Sequence, residues 1–312
     1  MMEKKYCFGV DVGGTTVKIG LFQIDGTLMD KWEIPTRRFM EEDVILSDVA
    51  ASIQEKIEEF DVAKEEIVGI GIGVPAAADK DGYVKQAANL GWRNIHIRKE
   101  LEALTGCKVS VGNDANVAAL GEMWKGGGAG YQNLVMVTLG TGVGGGIIVD
   151  GQILTGAHGG SGEIGHLFVE HEEDELCGCS KIGCLEQYAS ATGIVRLAKK
   201  QLTDNKEKTM LNADTVTAKD VFDAVKAGDQ VAIAIAEKFG EYLGHALSNL
   251  GAVLDPEIFV IGGGVSKAGE ILFDYIKKYY VDKAFWTCEN VEFALAKLGN
   301  DAGIYGAAKM VL

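Results

Sequence analysis

Apolar residues run or alternate through positions 6–12 and again through 17–24, and Gly13, Gly14, Thr15 and Thr16 stand between the two runs. Short apolar runs separated by a glycine–threonine cluster predict a β-hairpin. A second turn is expected at Asp25 and Gly26. The pattern returns at 134–154, where LVMVTL leads into GTGVGGG, then IIV, then a turn at Asp150 and Gly151, then QIL. Two such hairpins form a weak internal repeat. They predict two related domains, each offering a glycine-rich turn to one ligand.

Between the hairpins, Val49, Ile53 and Ile57 recur on one face of a helix over about 47–60, and IVGIGIGVP reads as a buried strand. A strand at 108–112 then delivers Asn113 and Asp114 to the head of the helical segment ANVAALGEMW. Beyond residue 185 the periodicity is mostly helical, at 186–201, 219–227, 229–253 and 268–280, with an apolar strand at 258–261. The polar stretch 203–220 predicts an exposed loop. Residues 301–312 predict a short amphipathic helix that returns to pack on the N-terminal domain.

At 312 residues the chain exceeds the size at which a single core keeps growing, so two domains are expected. The division falls at 1–121 plus 299–312 for the first and 122–298 for the second. A hydrophobic content of 47% supports large cores, and 42 glycines against 3 prolines point to tight backbone approaches rather than a disordered linker. The net charge of -15 repels phosphate backbones and anionic lipid, which argues against nucleic acid and membrane partners. No apolar stretch reaches membrane-spanning length, and MMEKKYCFGVDVGGT carries no signal core, so a cytoplasmic location is expected. Six spread cysteines fit a reducing compartment better than a disulfide framework.

Three of those cysteines lie in one segment. His166, Cys177, Cys179 and Cys184 supply one imidazole and three thiols, the ligand set of a closed tetrahedral zinc site, with Glu163 and Glu186 flanking it. Core packing of reduced cysteines explains them poorly, because their neighbours are glycine, serine and lysine. A closed site shapes a loop and does no chemistry itself.

GVDVGGTTVK at 9–18 places the carboxylate of Asp11 at a strand end, then Gly13 and Gly14, whose backbone N–H groups can approach a phosphate chain, then the hydroxyls of Thr15 and Thr16, and Lys18. Asp11 is suited to a magnesium ion held through water. TLGTGVGGG at 138–146, which also carries Thr138 and Thr141, matches a dinucleotide fingerprint in form through Gly140, Gly142 and Gly145. A strand and turn follow it instead of the helix that fingerprint needs, so a paired phosphate turn is the better reading. Gly262, Gly263 and Gly264 follow strand IFVI and can pass backbone close to a flat base, here assigned to adenine. Asp114 reads either as a helix cap or as a carboxylate facing the ligand. Asn113, Glu163, His166 and Glu186 complete a polar set suited to a sugar.

With these motifs in view, the chain resembles bacterial sugar kinases of the repressor, open reading frame, kinase (ROK) family, most closely the glucokinases of low-GC Gram-positive bacteria. The resemblance spans the full length. It rests on GVDVGGTTVKIGLF, GVP at 73–75, NLGW at 89–92, GNDANVAALGE at 112–122, TLGTGVGGGII, HGGSGEIGH, the cysteine segment and IGGGVS. It implies an α/β, two-domain, actin-like and ribonuclease-H-like ATPase fold with the active site in the interdomain cleft, and a homodimer or dimer of dimers. It further implies Asp114 as catalytic base, Asn89, Asn113, Glu163, His166 and Glu186 on the sugar hydroxyls, and Gly13, Thr15, Thr141 and Gly142 along the phosphates of ATP. Ser180 departs from the glycine the family usually carries after the second cysteine. Glucose is the expected sugar, with mannose, allose, fructose and N-acetylated hexosamines as alternatives. The family also holds sugar-responsive repressors, whose DNA-binding segment would precede a first phosphate motif that begins here at residue 9.

Overall fold

The computed structural model describes residues 4–38, 44–203 and 207–312. The chain opens with β1 (Tyr6–Val12), β2 (Thr16–Gln23), β3 (Leu28–Pro35), α1 (Ile45–Glu59), β4 (Ile67–Val74), β5 (Tyr83–Ala87), β6 (Trp92–His96), α2 (Ile97–Thr105), β7 (Val109–Asn113) and α3 (Asp114–Lys125). It continues with β8 (Leu134–Leu139), β9 (Val143–Val149), β10 (Gln152–Ile153), α4 (Glu186–Ala189), α5 (Ala191–Thr203) and α6 (Ala218–Lys226). It ends with α7 (Gln230–Leu254), β11 (Ile258–Gly262), α8 (Ile271–Lys283), β12 (Glu292–Leu295) and α9 (Ala302–Lys309).

The first sheet has the order β3-β2-β1-β4-β7, with β1, β2 and β3 antiparallel and β1, β4 and β7 parallel. Phe8, Val10 and Val12 point to one face and pack with Val49 and Ile53 of α1. The opposite face carries Cys7, and there α9 lies so close that a Cβ on Gly71 would meet the carbonyl oxygen of Ala307 at 1.7 Å. Small residues on both sides, AGIYGAAK against glycine-bearing strands, are what permit backbone-to-backbone packing. The expected return of the C-terminal helix onto the N-terminal domain is therefore met. The second sheet runs β10-β9-β8-β11-β12, the same order as the first with a shorter third strand. This sheet pair is that of the actin-like, ribonuclease-H-like ATPases, and it gives the weak internal repeat its physical meaning.

Two compact units result, one drawn from 1–132, 146–161 and 297–312, the other from 133–145 and 162–296. The segments 122–132 and 146–161, which the sequence assigned to the second domain, thus pack with the first. For 122–132 the reason is local. Helix α3 continues without a break to Lys125, and the buried carboxylate of Glu122 accepts hydrogen bonds from Gly127 N, Lys297 N and Leu298 N.

Other departures from the sequence reading are also local. The helix expected at 186–201 is broken at Ser190, whose φ of -75° and ψ of 169° are extended and whose hydroxyl donates to the carbonyl of Glu186. The helix expected from 268 begins at Ile271, because a short 3-10 turn ends at Gly269 with a left-handed φ of 91°. Within the polar stretch 203–220, residues 204–206 lie outside the described residues, and the end of the stretch is a helix start. Thr217 and Asp220 exchange capping hydrogen bonds at the head of α6. Strands β5, β6 and β12 and helix α2 were not anticipated. No helix among the described residues is long and apolar enough to cross a membrane.

Candidate active site

In the first unit, the turn between β1 and β2 closes with Gly13 N donating to Thr16 O at 3.0 Å. Thr36 secures it from outside: its N–H donates to Thr15 O and its hydroxyl to Gly13 O at 2.8 Å. Thr36 is buried and carries no sequence signal that ties it to a phosphate motif. Asp11 ends β1 on the α9 face, and a Cβ on Gly303 would come within 2.6 Å of its Oδ2. Burial first, and then the charge of Asp114, push the Asp11 carboxyl up to about 6, while Lys18 pulls the other way. Lys18 stands opposite Asp11 in the β1–β2 register, and its ammonium donates to Asn300 O at 3.1 Å. A buried carboxyl with a second carboxylate nearby is an environment that a divalent cation relieves.

The parallel register aligns Asp11 with Gly73 and Gly73 with Gly112, so the ends of β1 and β7 project together. Asn113 caps α3, its Oδ1 accepting from Ala115 N at 3.1 Å and Asn116 N at 3.3 Å. The cap role that sequence reasoning weighed for Asp114 thus belongs to its neighbour. Asp114 occupies the first helical position, half-buried, with Oδ1 accepting from Ala115 N at 2.8 Å. Asn89 is exposed, and its carbonyl accepts from Arg38 Nη1 at 3.2 Å.

The second unit holds the second phosphate turn, between β8 and β9, where Gly140 N donates to Gly142 O at 2.9 Å. Glu186 braces it. Its Oε2 accepts from Val143 N at 3.0 Å, and a Cβ on Gly142 would fall 2.1 Å from that oxygen, so only glycine fits there. Thr138 ends β8 half-buried. Gly262 ends β11 beside it in register, and Gly263, at a φ of 82°, abuts the backbone of Leu139. Gly264 opens onto a cavity of about 340 Å³ that is also lined by Ala191, Thr217, Ala218, Phe222 and Val265. Sequence reading missed Thr217 and Phe222. The capping pair TAKD at 217–220 was a readable helix start, but nothing in it announced a cavity wall.

His166, Cys177, Cys179 and Cys184 come together in the same unit, with all four donor atoms within 4.8 Å of one another. Cys179 Sγ lies 3.6 Å from Cys184 Sγ, and Cys177 Sγ lies 3.8 Å from His166 Nδ1. Tetrahedral zinc with ordinary bond lengths separates neighbouring donors by about 3.6–3.8 Å, so the set fits that ion. The imidazole faces two ways. Nδ1 turns to the thiols, and Nε2 lies 4.0 Å from Glu163 Oε2. Glu186 Oε1 sits 3.7 Å from Cys177 Sγ. Ser180 adopts the left-handed φ of 66° that glycine favours, and the knuckle turn forms regardless, with Ser180 N donating to Cys177 O at 2.8 Å.

The segment leading into this cluster is clamped. Glu173 pairs with Arg196 and accepts from the Tyr188 hydroxyl, and the Arg196 guanidinium lies over the Tyr188 ring at 4.9 Å. Arg196, first, and Tyr188 hold the Glu173 carboxyl down at about 2.

A glucokinase of Halalkalibacterium halodurans is 44% identical over 99% of this chain and 96% of its own length. A glucokinase of Thermotoga maritima is 38% identical over 99% of this chain and 98% of its own. The crystal structure of a Streptomyces griseus ROK glucokinase in complex with glucose and AMPPNP superposes with a TM-score of 0.72 at 32% identity, over 98% of both chains. The ROK family model itself matches residues 7–312, from the first strand of the first sheet to the last residue, and the chain belongs to the ROK family.

Proposed function

We propose that this protein is an ATP-dependent glucokinase that passes the γ-phosphoryl group of Mg-ATP to the 6-hydroxyl of glucose. The observation that carries the reading is the head of α3. Capping there falls to Asn113, so the Asp114 carboxylate at the first helical position serves as base toward a sugar hydroxyl. Phosphoryl transfer demands positioning and charge neutralisation more than covalent help, so one carboxylate suffices. An aspartate cannot ionise a sugar hydroxyl in advance; it takes the proton as the bond to phosphorus forms.

The remaining roles divide between the two units. Asp11 holds magnesium through water, and the N–H groups and hydroxyls of Gly13, Gly14, Thr15, Thr16, Thr138, Gly140, Thr141 and Gly142 line the phosphates, with Lys18 behind Asp11. Adenine lies against Gly262, Gly263 and Gly264, a role supported by the cavity beside Gly264 and the Phe222 ring that lines it. Asn89, Asn113, Glu163, His166 and Glu186 hold the sugar hydroxyls. His166 serves this role through Nε2 and the zinc through Nδ1, which the two-faced placement of its ring supports. Zinc, when bound by His166, Cys177, Cys179 and Cys184, cross-links the loop and leaves no open position.

The reading includes a cytoplasmic homodimer. The exposed Phe285 and Trp286, with ring centroids 5.4 Å apart, support self-association, and a sedimentation mass of one 33.2 kDa chain would remove that part. The deciding experiment is ADP release from Mg-ATP across a panel of glucose, mannose, allose, fructose and N-acetylated hexosamines. The highest kcat/KM is expected with glucose. Preference for another sugar changes the substrate, and no turnover with any of them rejects the kinase.

A further inference from the structure

The break between α4 and α5 does more than interrupt a helix. Ala191 N donates to Gly140 O at 2.8 Å, and Thr192 Oγ1 donates to Thr141 O at 2.8 Å. Two successive carbonyls of the second phosphate turn are therefore drawn to the start of α5. In a trans peptide the carbonyl and the following N–H point in opposite directions. Holding the carbonyls of Gly140 and Thr141 on the α5 side consequently turns the N–H groups of Thr141 and Gly142 away from it. Those two residues are the ones expected to line the phosphates.

The anchor is itself well fixed. Ser190 caps α5 by accepting from Gly193 N at 2.9 Å, and its hydroxyl lies 2.9 Å from Thr192 Oγ1. Glu186, at the other side of the break, takes Val143 N, the next donor along the turn. The turn is thus gripped at Gly140, Thr141 and Val143 from one short stretch of chain, which leaves the N–H groups between them to face a ligand.

We propose that Thr192 is a positioning residue for phosphoryl transfer, its hydroxyl orienting the Gly142 N–H toward the phosphate chain of the nucleotide. This rests on the kinase reading. Catalysis of this kind depends on donors that are aimed before the substrate arrives, so a side chain that touches no substrate governs affinity by aiming one that does. A sequence scan passes over Thr192 because threonine at the start of a helix is unremarkable.

The test replaces Thr192 by valine, which keeps the branched shape and removes the donor, and by serine, which keeps the donor. Affinities for Mg-AMPPNP and for glucose are measured separately by calorimetry, together with kcat, both KM values and the melting temperature. Loss of one hydrogen bond of ordinary strength predicts that Thr192→Val weakens Mg-AMPPNP about five- to tenfold. Glucose affinity should stay within about twofold, and Thr192→Ser should bind as the parent does. Unchanged nucleotide affinity in Thr192→Val overturns the proposal. So does equal weakening of both ligands with a lowered melting temperature, which would mean a role in folding only, and so does a serine variant as weak as the valine one. A parent protein that binds no Mg-AMPPNP rejects the kinase reading itself and takes this proposal with it.

Discussion

Replacing Asp114 by asparagine isolates proton transfer from everything else the residue does. The substitution is nearly isosteric, and Asn retains the Oδ1 acceptor that receives Ala115 N at 2.8 Å. The α3 cap is untouched, because it belongs to Asn113. Stability should therefore change by less than about 1 kcal/mol, as is usual for a near-isosteric replacement of a half-buried side chain. The change in charge also works in favour of the metal. Asp114 is one of the two causes that push the Asp11 carboxyl up to about 6, so removing its charge lets Asp11 ionise more readily and hold a cation at least as well. What remains to be lost is the base. A positioned general base contributes about 10²- to 10⁴-fold, or about 3–5.5 kcal/mol of barrier. The assay is steady-state ADP release at pH 7.5 with both substrates varied, alongside calorimetric glucose binding. The expected result is kcat lower by at least about 100-fold with glucose affinity within about threefold of the parent. A kcat within about fivefold would refute the assignment of Asp114 as base.

Three further outcomes follow from the second unit. In the proposed zinc-bound protein a strong chelator should raise the KM for ATP as well as loosen the knuckle, since Glu186 touches both Cys177 and the turn between β8 and β9; proteolysis near 177–184 with unchanged ATP affinity would refute that link. The Glu173 carboxyl, held at about 2 by Arg196 and Tyr188 against an ordinary 4.5, lends stability that is present above pH 4.5 and lost as pH falls toward 2. The stability gap between parent and Glu173→Gln in urea titrations should shrink by about 2 kcal/mol from pH 7 to pH 3, and a constant gap would refute the pairing. Ser180→Gly should stabilise the metal-bound protein by about 1 kcal/mol in urea unfolding, because it removes a side chain from a left-handed φ of 66°; a loss of stability would contradict this.

Much of the fold was legible because it depends on local pattern. The runs at 6–12 and 17–24 appear as β1 and β2 with the glycine–threonine turn between them, and the repeat at 134–154 has the same strand order in the second sheet. The convergence of His166 with the three cysteines was legible because the four residues are close in sequence. What escaped depends on partners distant in sequence. Ser190 has no helix-breaking character of its own, and its extended backbone follows from hydrogen bonds that tie the break to the phosphate turn. Asn113 and Asp114 are equally good caps in isolation, and only the direction of β7 into α3 decides which does the capping. Thr36 secures the first turn from the far end of a strand, 23 residues beyond Gly13. The compact units differ from the division at 121 and 299 for a similar reason: the bonds from Gly127, Lys297 and Leu298 to the Glu122 carboxylate cannot be read from charge or periodicity.

The two sheets also explain why the phosphate turns differ in chemistry. Asp11 on β1 pairs in register with Gly73 on β4, and Thr138 on β8 pairs in register with Gly262 on β11. Asp11 and Thr138 therefore hold the same place in the two halves of the repeat, each two residues before the first glycine of its turn, Gly13 or Gly140. One is a carboxylate and the other a hydroxyl. Burial, and then the charge of Asp114, already raise the cost of ionising Asp11. In the proposed kinase a carboxylate at position 138 would face a triphosphate, and two like charges about 5 Å apart at an effective dielectric near 20 repel by about 3 kcal/mol. A threonine there can donate to a phosphate oxygen without adding charge. In the proposed kinase the duplicated architecture thus keeps its metal-holding charge in one half only, and the other half binds the same anion with neutral donors.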